Sequence, residues 1–324
     1  MSVYAVADRT GTEGAATPDR PEPAVKAVRR SFSRPVASFL VLLLTVGWTV
    51  PTVGLFVTSV RPAQDVEQTG WWTVFTNPAF TLDNYRKVLF ESSFGSSGGL
   101  MPYLVNSLAI AIPSTVIPLV IASMAAYCLA WVRFRGSDTI FFVVFGLQIV
   151  PLQMALIPLL QLYSGGAHIG TLQLIPPLNA GGASFFPVWI SHTMFAMPMS
   201  IFLLHNFIAQ LPSHLMEAAM LDGANHFRIF RSIVLPLAAP ALASFAIFQF
   251  LWTWNDLLVG LTFAGGTAQV APLTVRLAQL GGSFGRSWEL LTAGAFVSIV
   301  VPLIVFFALQ RYFVRGLLAG SVKG

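Results

Sequence analysis

The sequence predicts an all-α membrane protein with six transmembrane helices and both termini in the cytoplasm. Three observations carry that reading. Of 324 residues, 55% are hydrophobic and only 10% charged, with a mean hydropathy of +0.73; a water-soluble domain carries about 25% charged residues. The apolar residues gather in charge-poor runs of about 20 or more, the length at which a helix crosses a bilayer. Threaded through a membrane, those runs leave the basic residues mostly on one side.

Each element follows in chain order. Residues 1–35 hold Arg9, Arg20, Lys26, Arg29, Arg30 and Arg34 among Ala, Pro, Thr and Glu, with no helical period, and are expected to be a disordered cytoplasmic tail. Residues 36–312 form the transmembrane domain, and 313–324 a cytoplasmic C-terminal tail. The first span covers Val36–Val60; it is longer than a signal-peptide core and no small-residue cleavage site follows, so it is expected to be retained. The second covers Tyr103–Trp131 and stops at Arg133 and Arg135, and the third covers Thr139–Tyr163. A Gly/Pro/Ser-rich stretch, Ser164–Ser184, precedes the fourth span, Phe185–Ile208. After a charged loop, Leu211–Pro240, come the fifth span, Ala241–Phe263, and the sixth, Leu290–Gln310.

With the amino terminus inside, the cytoplasmic segments hold the six tail cations, Arg133, Arg135, Arg228, Arg231, Arg311, Arg315 and Lys323. Only Arg61, Arg86, Lys87, Arg276 and Arg286 lie outside. The isoelectric point near 9.7 then needs no nucleic acid, because cytoplasmic flanks facing anionic lipid account for it. Cys128 is the one cysteine, which excludes an internal disulfide framework, and His168, His192, His205, His214 and His226 show no metal-ligand spacing. Pro113, Pro118, Pro151, Pro158, Pro187, Pro198 and Pro302 all fall inside spans. Each removes a backbone donor, which lipid tolerates only where a neighbour satisfies the freed carbonyl. Prolines are also simply commoner in membrane helices, so the set points to a bundle with a movable pathway more than any one of them does.

The charged loop is the most informative segment. Pro212 and Ser213 start a helix, Glu217 lies in its early turns, Ala218 and Ala219 leave room for a partner backbone, and Gly223 ends it. Asn225 begins a second helix carrying Phe227, Phe230 and Ile233 as an amphipathic set, and Pro236 is expected to stop it before the fifth span. The expected product is two short helices joined at a glycine, an L-shaped knob in the cytoplasm.

Glu217-Ala218-Ala219 with Asp222-Gly223-Ala224, followed by Ile233, Leu235 and Pro236, resembles the EAA loop of permease subunits of bacterial ABC importers. Thr81–Tyr85, Asn106-Ser107, Arg133–Gly136, Trp254-Asn255-Asp256 and the tail Gln310–Gly324 are similar to the carbohydrate-uptake branch, the group that includes maltose permease subunits. The resemblance covers Ser33 to the end and implies the ABC importer permease fold in a bacterial plasma membrane. It implies partners: a second permease subunit in a heterodimer, two ATP-binding subunits, an extracytoplasmic sugar-binding protein, and membrane lipid. Glu217, Ala218, Ala219, Asp222, Gly223, Ala224, Ile233, Leu235 and Pro236 would seat in an ATPase cleft, and ATP and Mg would be used by that partner. The chain has no Gly-x-x-x-x-Gly-Lys-Ser/Thr loop of its own, so no catalysis and no bound cofactor are expected of it.

Two readings fit the solute path. On one uninterrupted helix Phe245, Gln249, Trp252, Asp256 and Gly260 share a face, with Asn255 beside it, a stripe whose rings and polar groups suit a sugar. Gln249 and Asp256 equally suit hydrogen bonds across the bundle. In the outer loop, Trp71, Trp72, Leu82, Tyr85 and Leu89 either meet the binding protein or form an interfacial belt. A permease for another small polar solute and a secondary transporter are the alternatives; the latter needs coupling-ion carboxylates, of which Asp256 is the one well inside a span.

Overall fold

The computed structural model describes residues 35–91, 99–132, 134–178, 184–283 and 287–321. The expected tail up to Arg34, Arg133 and residues 322–324 lie outside the described residues. The helices are α1 (Pro35–Ser59), α2 (Ala63–Gln68), α3 (Asp83–Phe90), α4 (Met101–Tyr127), α5 (Ser137–Gly146) and α6 (Leu152–Gly165). A hairpin follows, β1 (Ala167–Ile169) antiparallel to β2 (Leu172–Ile175). Then come α7 (Phe186–Ile208), α8 (Ser213–Leu221), α9 (His226–Ile229), α10 (Leu235–Trp254), α11 (Leu258–Phe263), α12 (Leu273–Ser283) and α13 (Trp288–Ser321).

Five helices among the described residues are long and apolar enough to cross a membrane, and six spans result when the pair Ser137–Ile149 and Leu152–Gly165 counts as one. That pair is the first departure from expectation: instead of one straight third span, two helices meet at 98°. Val150 precedes Pro151, which bars it from helical geometry, and it sits at φ −72°, ψ 119°. The second departure is the fifth span, which runs His226–Trp254 and so absorbs half of the expected loop. Pro236 does not stop it. A π-helical turn, Phe230–Val234, widens the helix just before Pro236, which then sits in the first turn of α10. A widened turn relieves the clash of the proline ring with the carbonyl four residues back. The glycine-rich stretch after the third span also contains a hairpin that its composition did not announce.

Helix α1 contains its own polar groups: Thr45 and Thr49 donate to the carbonyls of Val41 and Thr45, both at 2.7 Å. Beyond it, the outer loop folds around buried Arg61, which donates to the Gly70 carbonyl (2.9 Å), Thr69 Oγ1 (2.8 Å) and Thr73 Oγ1 (3.0 Å). Asn84 on α3 donates to the carbonyls of Ser59 and Arg61, which pins that helix to the end of the first span.

The remaining spans pack through small side chains. Ala111, Ala122, Ala126, Ser114 and Ser123 on α4 and Ser191, Ala196 and Ser200 on α7 are buried, so the two backbones approach closely. Three span prolines have the partners that lipid demands. Pro113 frees the carbonyl of Ala109, which accepts from Trp189 Nε1 of α7 at 2.9 Å. Pro118 frees that of Ser114, which accepts from Gln249 Nε2 of α10 at 3.3 Å. Pro302 frees that of Ser298 on α13, which accepts from Trp254 Nε1 at 3.1 Å. Each proline therefore marks a bolt between two helices.

Candidate functional site

The loop between the fourth and fifth spans is built as a rigid elbow. Helix α8 begins after Pro212, which holds an extended φ, ψ of −61°, 126°. Its end is fixed by two bonds: the amide of Gly223 donates to the Met220 carbonyl at 3.0 Å, and that of Ala224 to the Ala219 carbonyl at 2.9 Å. This is the Schellman pattern, and it requires the left-handed conformation that Gly223 adopts at φ 77°. Nothing lies within 4 Å of a Cβ built on Gly223, so backbone conformation, not space, selects glycine there. Two residues on, Asn225 Oδ1 accepts the Arg228 amide at 2.9 Å and caps α9.

The elbow has a buried side and a bare side. Met216, Ile229, Phe230 and Val234 pack with Ala122, Ala126, Tyr127, Leu204 and Ile208 at the cytoplasmic ends of α4 and α7. Glu217, Ala218, Asp222, Gly223 and Pro236 are exposed, while Ala219, Ala224, Ile233 and Leu235 are half-buried. Leu221 is 89% exposed and Phe227 67%, an apolar tip left uncovered by the rest of the chain. Phe227, Phe230 and Ile233 therefore do not form one amphipathic face: Phe227 is exposed while Phe230 is buried. In the crook of the elbow Ala219, Asp222, Ala224, Arg228 and Ile233 line an open cleft of about 210 Å³ with one charge of each sign.

Two further bonds brace the elbow and the end of α7 against α4 and the π-helical turn that follows it, Cys128–Val132, and sequence reasoning missed both. Tyr127 Oη lies 3.0 Å from His226 Nδ1, and its ring packs 5.4 Å from that of Phe230. Trp131 Nε1 donates to the carbonyl of Ile208, the last residue of α7, at 3.0 Å.

The stripe expected along the fifth span is broken. Helix α10 ends at Trp254, and Asp256 lies beyond it. Its Oδ2 accepts the amides of Val259 (2.9 Å) and Gly260 (3.1 Å) and so caps the short helix α11. A short carboxylate near a helix end competes for free amides, and here that preference overrides continuation of the helix. Gln249 is buried and donates to Ser114 and Thr253 Oγ1; Asn255 is exposed and donates to the Leu251 carbonyl at 2.8 Å; Trp252 is 53% exposed beside Phe248. The structure does bring His192 of α7 toward Asp256, with Nε2 3.9 Å from Oδ2, longer than a hydrogen bond. Among the described residues, no group of His, Cys, Asp or Glu is placed to hold a metal ion.

An elbow held between two spans of a helical bundle is the structural element that the sequence resemblance rests on, and comparison with known proteins agrees. Residues 118–318 match the family described as the binding-protein-dependent transport system inner membrane component. The chain belongs to that family. It is a multi-pass inner-membrane permease. The osmoprotective compounds uptake permease protein GgtD of Synechocystis sp. is 50% identical over 289 residues, 87% of this chain and 91% of that protein. The alpha-glucoside transport system permease protein AglG of Rhizobium meliloti is 55% identical over 255 residues, 78% of this chain and 63% of that protein. Among solved structures, a chain of a bacterial ABC transporter involved in the import of the acidic polysaccharide alginate superposes with a TM-score of 0.64. It covers 92% of this chain and 100% of that chain at 20% identity, which speaks to the fold.

Proposed function

We propose that this permease is one subunit of an ATP-driven carbohydrate importer and that its elbow, Ser213–Ile229, is the seat for a cytoplasmic ATPase. The chain forms half of the translocation pathway in a heterodimer with a second permease subunit. Two ATP-binding subunits consume ATP and Mg, and an extracytoplasmic binding protein delivers the solute. The chain itself binds no cofactor and hydrolyses nothing.

One observation carries the docking reading: a capped, glycine-turned element anchored on one side presents Glu217, Ala218, Leu221 and Phe227 bare on the other. An exposed Leu and Phe at the tip of a rigid cytoplasmic loop fit a protein partner better than water. Because the elbow is continuous with α7 and α10, a push on it turns both spans together, as rigid-body alternating access requires. The sugar reading draws support from the name of AglG, an alpha-glucoside transport permease, together with the aromatic and amide residues Trp252, Gln249 and Asn255 near the end of α10. GgtD, named for osmoprotective compounds, points instead to another small polar solute. Reconstituting the full complex and measuring ATPase stimulation by the binding protein loaded with an α-glucoside, or with a non-sugar osmolyte, separates the two. Stimulation by the glucoside alone supports a carbohydrate importer, and stimulation by the osmolyte alone contradicts it.

A further inference from the structure

Helix α4 is fastened at both ends to segments far away in sequence. At its cytoplasmic end Tyr127 Oη lies 3.0 Å from His226 Nδ1 of the elbow. In its middle the carbonyls freed by Pro113 and Pro118 are bolted to α7 and α10, the two spans that flank the elbow. At its outer end Asn106 Nδ2 donates to the carbonyls of Ala268 (2.9 Å) and Ala271 (3.0 Å). Next to it, Ser107 Oγ accepts the amide of Leu273 at 2.7 Å. Asn106 and Ser107 are both buried, so these bonds are shielded from competing water. The segment they grip, Ala268–Leu273, joins α11 to α12 on the outer side of the membrane. From Asn106 to Tyr127 the helix extends about 30 Å at 1.5 Å per residue, roughly the hydrocarbon thickness.

We propose that α4 is the connecting rod of this permease and that Asn106 and Ser107 are the positioning residues at its output end, passing movement of the elbow to Ala268–Leu273. The inference rests on the docking reading above. Two side chains gripping three points within six residues leave that segment little freedom to stay behind when α4 shifts. A loop connected only through its own flanking helices would have no such tie. Neither residue touches the elbow, so their removal leaves the ATPase seat intact and disconnects only the outer end.

The test uses the complete complex in proteoliposomes with Cys128→Ser, which removes the one native cysteine of this chain, and Gln269→Cys, an exposed position inside the gripped segment. Reactivity of that thiol toward a membrane-impermeant maleimide is compared without nucleotide and after trapping with ATP and vanadate. The parent should show at least a threefold difference in rate between the two states. In Asn106→Ala/Ser107→Ala the ratio should fall toward one, with the ATPase subunits still co-purifying and basal hydrolysis in the parent range. Ser107→Thr, which keeps the hydroxyl acceptor, should keep the ratio. If the double variant does not assemble, Tyr127→Phe, which removes the hydroxyl facing His226 of the elbow, breaks the rod at its other end and should give the same loss. A parent-like ratio in assembled Asn106→Ala/Ser107→Ala, or in Tyr127→Phe, overturns the proposal. So does a parent in which residue 269 ignores nucleotide while the ATPases remain bound. Glu217→Lys complexes that retain their ATPases contradict the docking reading alone, so the two failures are distinguishable.

Discussion

Replacing Trp189 by Phe keeps a ring in the same place and removes a single N–H. That N–H is the donor 2.9 Å from the Ala109 carbonyl, which lacks its helical partner because residue 113 is proline. An orphaned buried acceptor costs about 1–3 kcal/mol in a soluble core. Interhelical hydrogen bonds measured in a membrane bundle average about 0.6 kcal/mol and reach about 1.7. The expected cost is therefore about 1 kcal/mol, roughly a fivefold change in the folded-to-unfolded ratio. In a Pro113→Ala background the new alanine amide supplies the missing donor, so Trp189→Phe should then cost close to nothing. The assay is equilibrium unfolding by SDS titration of four purified permeases: parent, each single variant and the double. The coupling energy between the sites should be about 1 kcal/mol, and cycles of this kind isolate it from any straightening of the helix. Equal costs of Trp189→Phe with and without Pro113 would refute the idea that indoles bolt proline-freed carbonyls. The pair Trp254 and Pro302, joined through Ser298, should behave the same way.

Other outcomes follow from the elbow and the outer cap. Gly223→Ala forces a side chain into the left-handed region at a cost of about 1–2 kcal/mol, and it should raise hydrogen exchange across residues 213–224 while weakening ATPase retention. Asn225→Ala removes the cap of α9 for about 1 kcal/mol; unchanged exchange at the Arg228 amide would contradict that role. Asp256→Asn keeps an oxygen for the amides of Val259 and Gly260, so thermal stability should hold, whereas Asp256→Leu should lower it. If uptake falls in the stable Asn variant, the carboxylate charge serves the path; parent-level uptake assigns Asp256 to capping alone.

Much of this is legible in the sequence. The spans, their orientation and the elbow follow from hydropathy, charge and turn chemistry, all local signals. Asn225 and Gly223 announce their roles because capping depends on a few neighbouring residues. Failures occurred where a distant partner or a local competitor decides. Whether a span proline is tolerated in place depends on a donor on another helix: the sequence shows that Ala109, Ser114 and Ser298 lose partners, but it cannot name Trp189, Gln249 and Trp254 as the replacements. The 98° bend could have been read from Val150-Pro151, since the residue before a proline resists helix. A helical stripe through Asp256 requires an unbroken fifth span, whereas its carboxylate starts a new helix. The tie between Tyr127 and His226 joins residues 99 apart and had no sequence signal at all.

The docking role of the elbow is tested most directly by placing a photo-cross-linking amino acid at Leu221, the most exposed of its apolar side chains. A control probe goes at Phe142, 68% exposed on α5, the first half of the bent third span. On irradiation of membranes holding the whole complex, the Leu221 probe should capture an ATP-binding subunit and the Phe142 probe should not. An ATPase that co-purifies with the complex yet never cross-links from Leu221 would contradict the seat assigned to this loop.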